Sequence, residues 1–319
     1  MSRIHLLLPA LLAGLLVCGC RAKADPAPTP LPTTPPTAET PAPIQAPATA
    51  TPEIISPTAA PAPESPTPEP NPTPAGPLVV IDPGHGGKDW GACHVDRNGK
   101  LALMEKEVNL AIALHTRDAL EARGVRVFLT RDDDYLVNEE GKDLSEDGEV
   151  DYVDELQMRL DMANQVGGTL LLSLHQNAYY YGVNVLARDV GGTVTYYCDE
   201  RVFSDRNLAF AELVQEHVVA AAQELGYDIH DRGVRLDTEL SSGPDVRHLI
   251  VLGPKAERIV RPSQMPGALS ETMFITHDGE MAMLSDSEIC QRFGQAYADA
   301  IIAYLAAYDE LPEGFVDAP

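Results

Sequence analysis

Proline governs the first quarter of this chain. Nineteen of its 27 prolines fall between residues 21 and 77, interleaved with Ala and Thr. Proline has no amide hydrogen to give to a helix or a ladder, so a stretch this dense in it cannot build a core. The tract reads as an extended, semi-rigid, low-complexity tether. What can fold is the remainder, residues 78–319, which is long enough for one domain with a sizeable core.

The residues ahead of the tether set the expected compartment. Arg3 gives a positive start, and Leu6 to Val17 is apolar apart from Pro9 and Gly14. That run is too short to span a bilayer and reads as a signal peptide. It ends at Val17-Cys18-Gly19-Cys20, which resembles a bacterial lipobox with Cys20 as the acylated residue. The expected organisation is a signal peptide over 1–20, a tether over 21–77 and a folded domain over 78–319, exported and held at a membrane through a lipid. An ordinary secretory signal with a chance cysteine is the alternative, and it exports the chain equally.

Charge narrows the partners. Of 48 acidic and 23 basic residues, all but five and three lie beyond residue 77, leaving that part at a net charge of −23. So acidic a surface argues against nucleic acid or anionic lipid heads as partners. Residues 132–155 hold twelve acids and one base, Lys142. The run lacks the set glycine of a calcium loop and reads as a solvated surface excursion. Cys93, Cys198 and Cys290 are too widely spaced for a C-x-x-C thiol site, and allow at most one disulfide.

Patterning gives the fold class. Leu78-Val79-Val80-Ile81 is a continuous apolar run ending at Asp82-Pro83-Gly84, as a buried parallel strand does. Helical spacing from Glu105 to Arg123 stops at Gly124, and Val125, Val127 and Leu129 then alternate as a strand into Thr130-Arg131. Further helices are expected over 153–165, 208–225 and 288–308, and further strands at 169–174, 192–197, 249–252 and 267–270. The alternation predicts a single α/β domain, an open, mostly parallel twisted sheet with helices on both faces.

Ligands of such sheets bind beyond the carboxyl ends of the strands. His85, His175 and Glu271 stand at such ends, and Glu105 opens the helix after the His85 loop. Two imidazoles and one carboxylate make a three-ligand zinc site that keeps one position open for water. A remaining carboxylate can then serve as general base. Glu107 rivals Glu105, but two positions apart on a helix they lean to opposite faces, so only one of them can join the histidines. Each signal alone is weak, since a histidine at a strand end is more often structural. Asp82 suits either a partner for His85 or a turn-forming role, Asn177 either substrate binding or capping of local backbone, and Trp90 either a sugar-stacking or a rim-packing role. Arg131 and Arg159 read as internal ion-pair residues, and His115 as a packed helix residue.

The surrounding wording is more specific. Asp82-Pro83-Gly84-His85-Gly86-Gly87, Glu105-Lys106 with Asn109, Ser173-Leu174-His175-Gln176-Asn177-Ala178, Arg232-Gly233-Val234 and Met265-Pro266 leading to Glu271 occur in one order. In these motifs, over about residues 78–308, the chain resembles the zinc-dependent N-acetylmuramoyl-L-alanine amidases of the amidase-3 type. The resemblance implies one Zn2+ bound by His85, Glu105 and His175, with Glu271 as the catalytic carboxylate. It implies peptidoglycan as substrate, cut between the muramic acid lactyl group and L-alanine of the stem peptide. Thr272-Met273 departs from the glycine that usually precedes the Phe in that family, and 255–264 looks inserted. A wall-binding lipoprotein that no longer cuts, and a zinc peptidase or carboxypeptidase acting on the stem peptide, are the competing readings.

Overall fold

In the computed structural model, residues 76–183, 185–240, 246–312 and 315 are described. The expected signal peptide and the tether up to residue 75, with Cys20, lie outside them. The elements follow in the order β1 (Leu78–Pro83), β2 (Cys93–Val95), β3 (Leu101–Met104), α1 (Glu105–Glu121), β4 (Arg126–Leu129), α2 (Tyr152–Gln165), β5 (Leu170–Asn177), β6 (Thr193–Tyr197), α3 (Ser204–Glu224), β7 (Asp231–Leu236), β8 (Gly267–Phe274), α4 (Asp278–Leu284) and α5 (Ser287–Ala307). Six strands form the main sheet in the order β4-β1-β5-β8-β6-β7, while β2 and β3 make a separate antiparallel ribbon.

The first four strands of that order run parallel, as continuous apolar runs buried on both faces require. β6 pairs antiparallel with β8 and parallel with β7, so the sheet is mixed at one side. Alternate residues divide the core. Val79, Ile81, Leu170, Leu172 and Leu174 pack against α1, α3 and α5, whereas Val80, Leu171, Val194, Tyr196 and Leu269 face α2 and the 249–252 segment. Every residue of β8 is buried, although it is the last strand in the sequence. Among the described residues no helix is long and apolar enough to cross a membrane.

Three sequence expectations change. Leu249–Leu252 is a hydrogen-bonded turn, with the Leu252 amide donating to the Leu249 carbonyl, and its apolar run caps one sheet face without joining the sheet. β7 and the β2–β3 ribbon were not legible, because their residues alternate poorly and lie only partly buried. The acidic run is more than solvated surface. Asp154 accepts from the amides of Leu144, Ser145 and Asp151, and Glu155 from those of Val137 and Asn138. Carboxylates here organise loop backbone ahead of α2, where Asp151 and Asp154 also form a capping box.

Candidate metal and catalytic site

The carboxyl ends of β1 and β5 and the first turn of α1 meet at one point. His85 leaves β1 with φ +64, a left-handed conformation that a non-glycine residue holds only when its surroundings impose it. Three cations impose it here. Arg131 donates to the carbonyls of Pro83, Gly84 and Lys106, Arg159 to those of Pro83 and His85, and Lys106 to that of Gly87. Close approach is secured by two glycines. A Cβ on Gly84 would stand 2.2 Å from the His175 ring, and one on Gly91 would meet the Glu105 carboxylate at 2.5 Å and the His85 ring at 2.6 Å. Gly91 also sits at φ +66, which glycine adopts at no steric cost.

One ligand-capable atom from each of His85, Glu105 and His175 lies within 4.8 Å of the others. Glu105 is 4% exposed. Its Oε2 lies 3.2 Å from His85 Nε2 and accepts from the Ala92 amide at 2.7 Å, while its Oε1 lies 3.0 Å from His175 Nδ1 and accepts from the Gln176 amide. The two imidazole centroids are 5.0 Å apart at 78°. Glu107 is exposed on the other side of α1, so the helix decides between the two glutamates as its geometry demands.

Glu271 is the register partner of His175 on the adjacent strand, which puts both side chains on one face of the sheet. It is 8% exposed, and its Oε2 is buried with no hydrogen-bond partner among the described residues. Burial, and then the nearby Glu105 charge, raise its pKa to about 8. For His85 burial acts in the opposite sense, yet the Glu105 and Asp89 carboxylates prevail and raise it to about 10. Glu105 is pulled well below its usual value by His85 and His175 against the effect of its burial. Two carboxylates thus stand in one pocket with opposite tendencies, Glu105 held ionised by the imidazoles and Glu271 pushed towards its neutral form.

Other expectations resolve in detail. His85 Nδ1 donates to Asp89 Oδ2 at 2.8 Å, so the partner that orients the ring is Asp89 and not Asp82. No periodicity could have found it, because the contact is made across a glycine-rich loop. Asp82 instead accepts from Thr130, Ser173 and Arg159, joining β1, β5, α2 and the end of β4. Burial opposes its ionisation, but the Arg159 charge and these hydrogen bonds hold it below the ordinary carboxylate value. Arg159 pairs with Asp82 and Glu155 as an internal ion-pair residue, while Arg131 is engaged mainly by carbonyls. Asn177 accepts from the Ala178 amide, a local backbone contact compatible with either of its two readings. Trp90 is exposed at the rim, its carbonyl accepting from the Lys106 amide.

A buried polar chain under the site had no sequence signal. The Tyr297 hydroxyl on α5 bonds both Ser270 and Thr272 of β8 at 2.8 Å. Gln176 donates to Thr272 and to Asn109, and Asn109 donates to the Gly84 carbonyl. Thr272, the departure noted beside Glu271, is accommodated by this chain.

Comparison with known proteins gives one family. Residues 79–303 match the amidase-3 family, described as N-acetylmuramoyl-L-alanine amidase. The N-acetylmuramoyl-L-alanine amidase AmiA of Salmonella typhimurium is 27% identical over 252 residues, spanning 73% of this chain and 77% of that protein. Among solved structures, the amidase AmiC2 of Nostoc punctiforme is 30% identical, with a TM-score of 0.52 over 72% of this chain and 97% of that one. The catalytic domain of the amidase CwlV from Bacillus (Paenibacillus) polymyxa is 28% identical, with a TM-score of 0.50 over 72% and 98%.

Proposed function

This chain belongs to the N-acetylmuramoyl-L-alanine amidase family and is a peptidoglycan amidase, and from that premise we propose that it works as a zinc enzyme with His85, Glu105 and His175 as ligands and Glu271 as proton carrier. The donor set fits the ion. Two nitrogens and a carboxylate oxygen converge, and the Asp89 carboxylate fixes His85 so that Nε2 faces the cluster. When bound, zinc polarises a carbonyl and lowers the pKa of water towards neutrality. Glu271 takes the proton from the attacking water and returns it to the departing L-alanine amine, which leaves as a neutral amine. Carrying that proton requires a carboxylate whose affinity for it is raised towards neutral pH. The observation that carries the reading is the buried, unpartnered Oε2 of Glu271 beside the three converging donors.

The lipobox-like Val17-Cys18-Gly19-Cys20 and the proline-rich 21–77 support an extracytoplasmic enzyme held at a membrane by a lipid on Cys20, with the domain reaching the wall from there. The catalytic test uses purified sacculi and mass spectrometry of the released fragments. The intact protein should free stem peptides with an N-terminal alanine, and a chelator should stop it. E271Q should keep zinc and lose turnover by at least ~100-fold, while H175A should lose both. Shortened stem peptides would mean a peptidase. Binding without release would mean a wall-binding protein. Equal metal loss in both variants would sink the division of roles.

A further inference from the structure

At the opposite end of the sheet a second group of donors converges. Cys198 follows β6, Asp237 begins the 3₁₀ turn after β7, and His248 lies in the segment leading towards β8. One ligand-capable atom from each lies within 4.8 Å of the others. We propose that Cys198, Asp237 and His248 form a second metal site, which takes a borderline-soft divalent ion such as Zn2+ and clamps the two outer strands to the segment that feeds β8.

Three observations carry it. His248 Nδ1 lies 3.0 and 3.1 Å from the two Asp237 oxygens and 3.6 Å from Cys198 Sγ. Nδ1, Sγ and the Asp237 oxygens present their lone pairs to one small volume, where a single cation can accept all three. The other ring nitrogen, Nε2, lies 3.4 Å from the Glu200 carboxylate. With an ion on Nδ1 the ring hydrogen would sit on Nε2, where that carboxylate can accept it, the outer partnership of metal-bound imidazoles. Finally, Cys198 and Asp237 have no exposed surface, and sulfur, nitrogen and oxygen together match the borderline character of zinc, not calcium or magnesium. Binding displaces the Cys198 thiol proton to solvent, and water completes a four-coordinate shell.

The two sites are separate. Val194 on β6 pairs with Glu271, and Cys198 lies four residues further along, roughly 13 Å at strand spacing. The inference stands apart from the catalytic reading, and so does its test. The full chain carrying C18S and C20S, so that leader thiols are silent, is loaded with zinc, desalted and analysed for metal. Two zinc ions per chain are expected, falling to one in C198S, in H248Q and in H175A. Loading with cobalt(II) should give a near-ultraviolet sulfur-to-cobalt charge-transfer band that H175A retains and C198S abolishes. One zinc per chain that H175A removes entirely would overturn the proposal, as would a cobalt band that survives C198S. Should C198S fail to fold, the band in the H175A protein decides alone, its presence supporting the site and its absence refuting it.

Discussion

At the scale of residues, the candidate site places one carboxylate, that of Glu271, in a state that water would not favour. In the metal-free protein its pKa is about 8 against an ordinary 4.5. The folded state therefore keeps a proton that the unfolded chain has already lost, and stability falls as pH rises from 4.5 through about 8. E271Q has no such proton to lose. Stripped of metal, it should melt above the wild type at pH 8 and level with it near pH 4.5; an offset that is the same at both would contradict this. Gly84 works through absence of bulk. G84A would drive a Cβ into the His175 ring, so the variant is expected to fold yet hold zinc at least ~10-fold more weakly, read by competition with a chromogenic chelator. Unchanged affinity would show that the ring can move aside.

At the scale of elements, the His85 loop is held by a buried ionic knot. Asp82 of β1 and Arg159 of α2 are each 2% exposed, and the arginine also supports the carbonyls of Pro83 and His85. R159L would leave the Asp82 charge buried without its cation, a loss of about 3–5 kcal/mol. Adding D82N should restore part of it, as denaturant melts of the two variants and their combination would reveal. Strands β1, β4 and β5 and helix α1 were legible in advance because apolar period and glycine stops agree there. His85, Glu105, His175 and Glu271 were legible as strand-end and helix-start residues, although β5 and β8 run on past His175 and Glu271 to Asn177 and Phe274. The Tyr297–Thr272–Gln176–Asn109 chain and the Cys198–Asp237–His248 group were not legible, since each depends on contacts between distant segments that no local pattern encodes; Asp89 is only four residues from His85, but the irregular loop between them has no period that would pair the two. β7 escaped for a different reason: a sheet-edge strand with a partly exposed DRGVRL sequence has no apolar alternation to betray it.

At the scale of the whole molecule, the proline-rich stretch and the family match occupy separate parts of the sequence. The prolines cluster before residue 78, while the family match occupies 79–303. If Cys20 carries the lipid, C20S should move the protein from the membrane pellet to the soluble fraction and abolish incorporation of labelled fatty acid, with activity on isolated sacculi intact. Membrane retention of C20S would exclude that cysteine as the anchor. The sheet order has a consequence of its own. β8 is the last strand made, yet it stands between β5 and β6, and it brings Glu271 with it. Until it inserts, the sheet is split into two halves and Glu271 stands apart from His85, Glu105 and His175. Completion of the architecture and convergence of the four side chains are therefore one event.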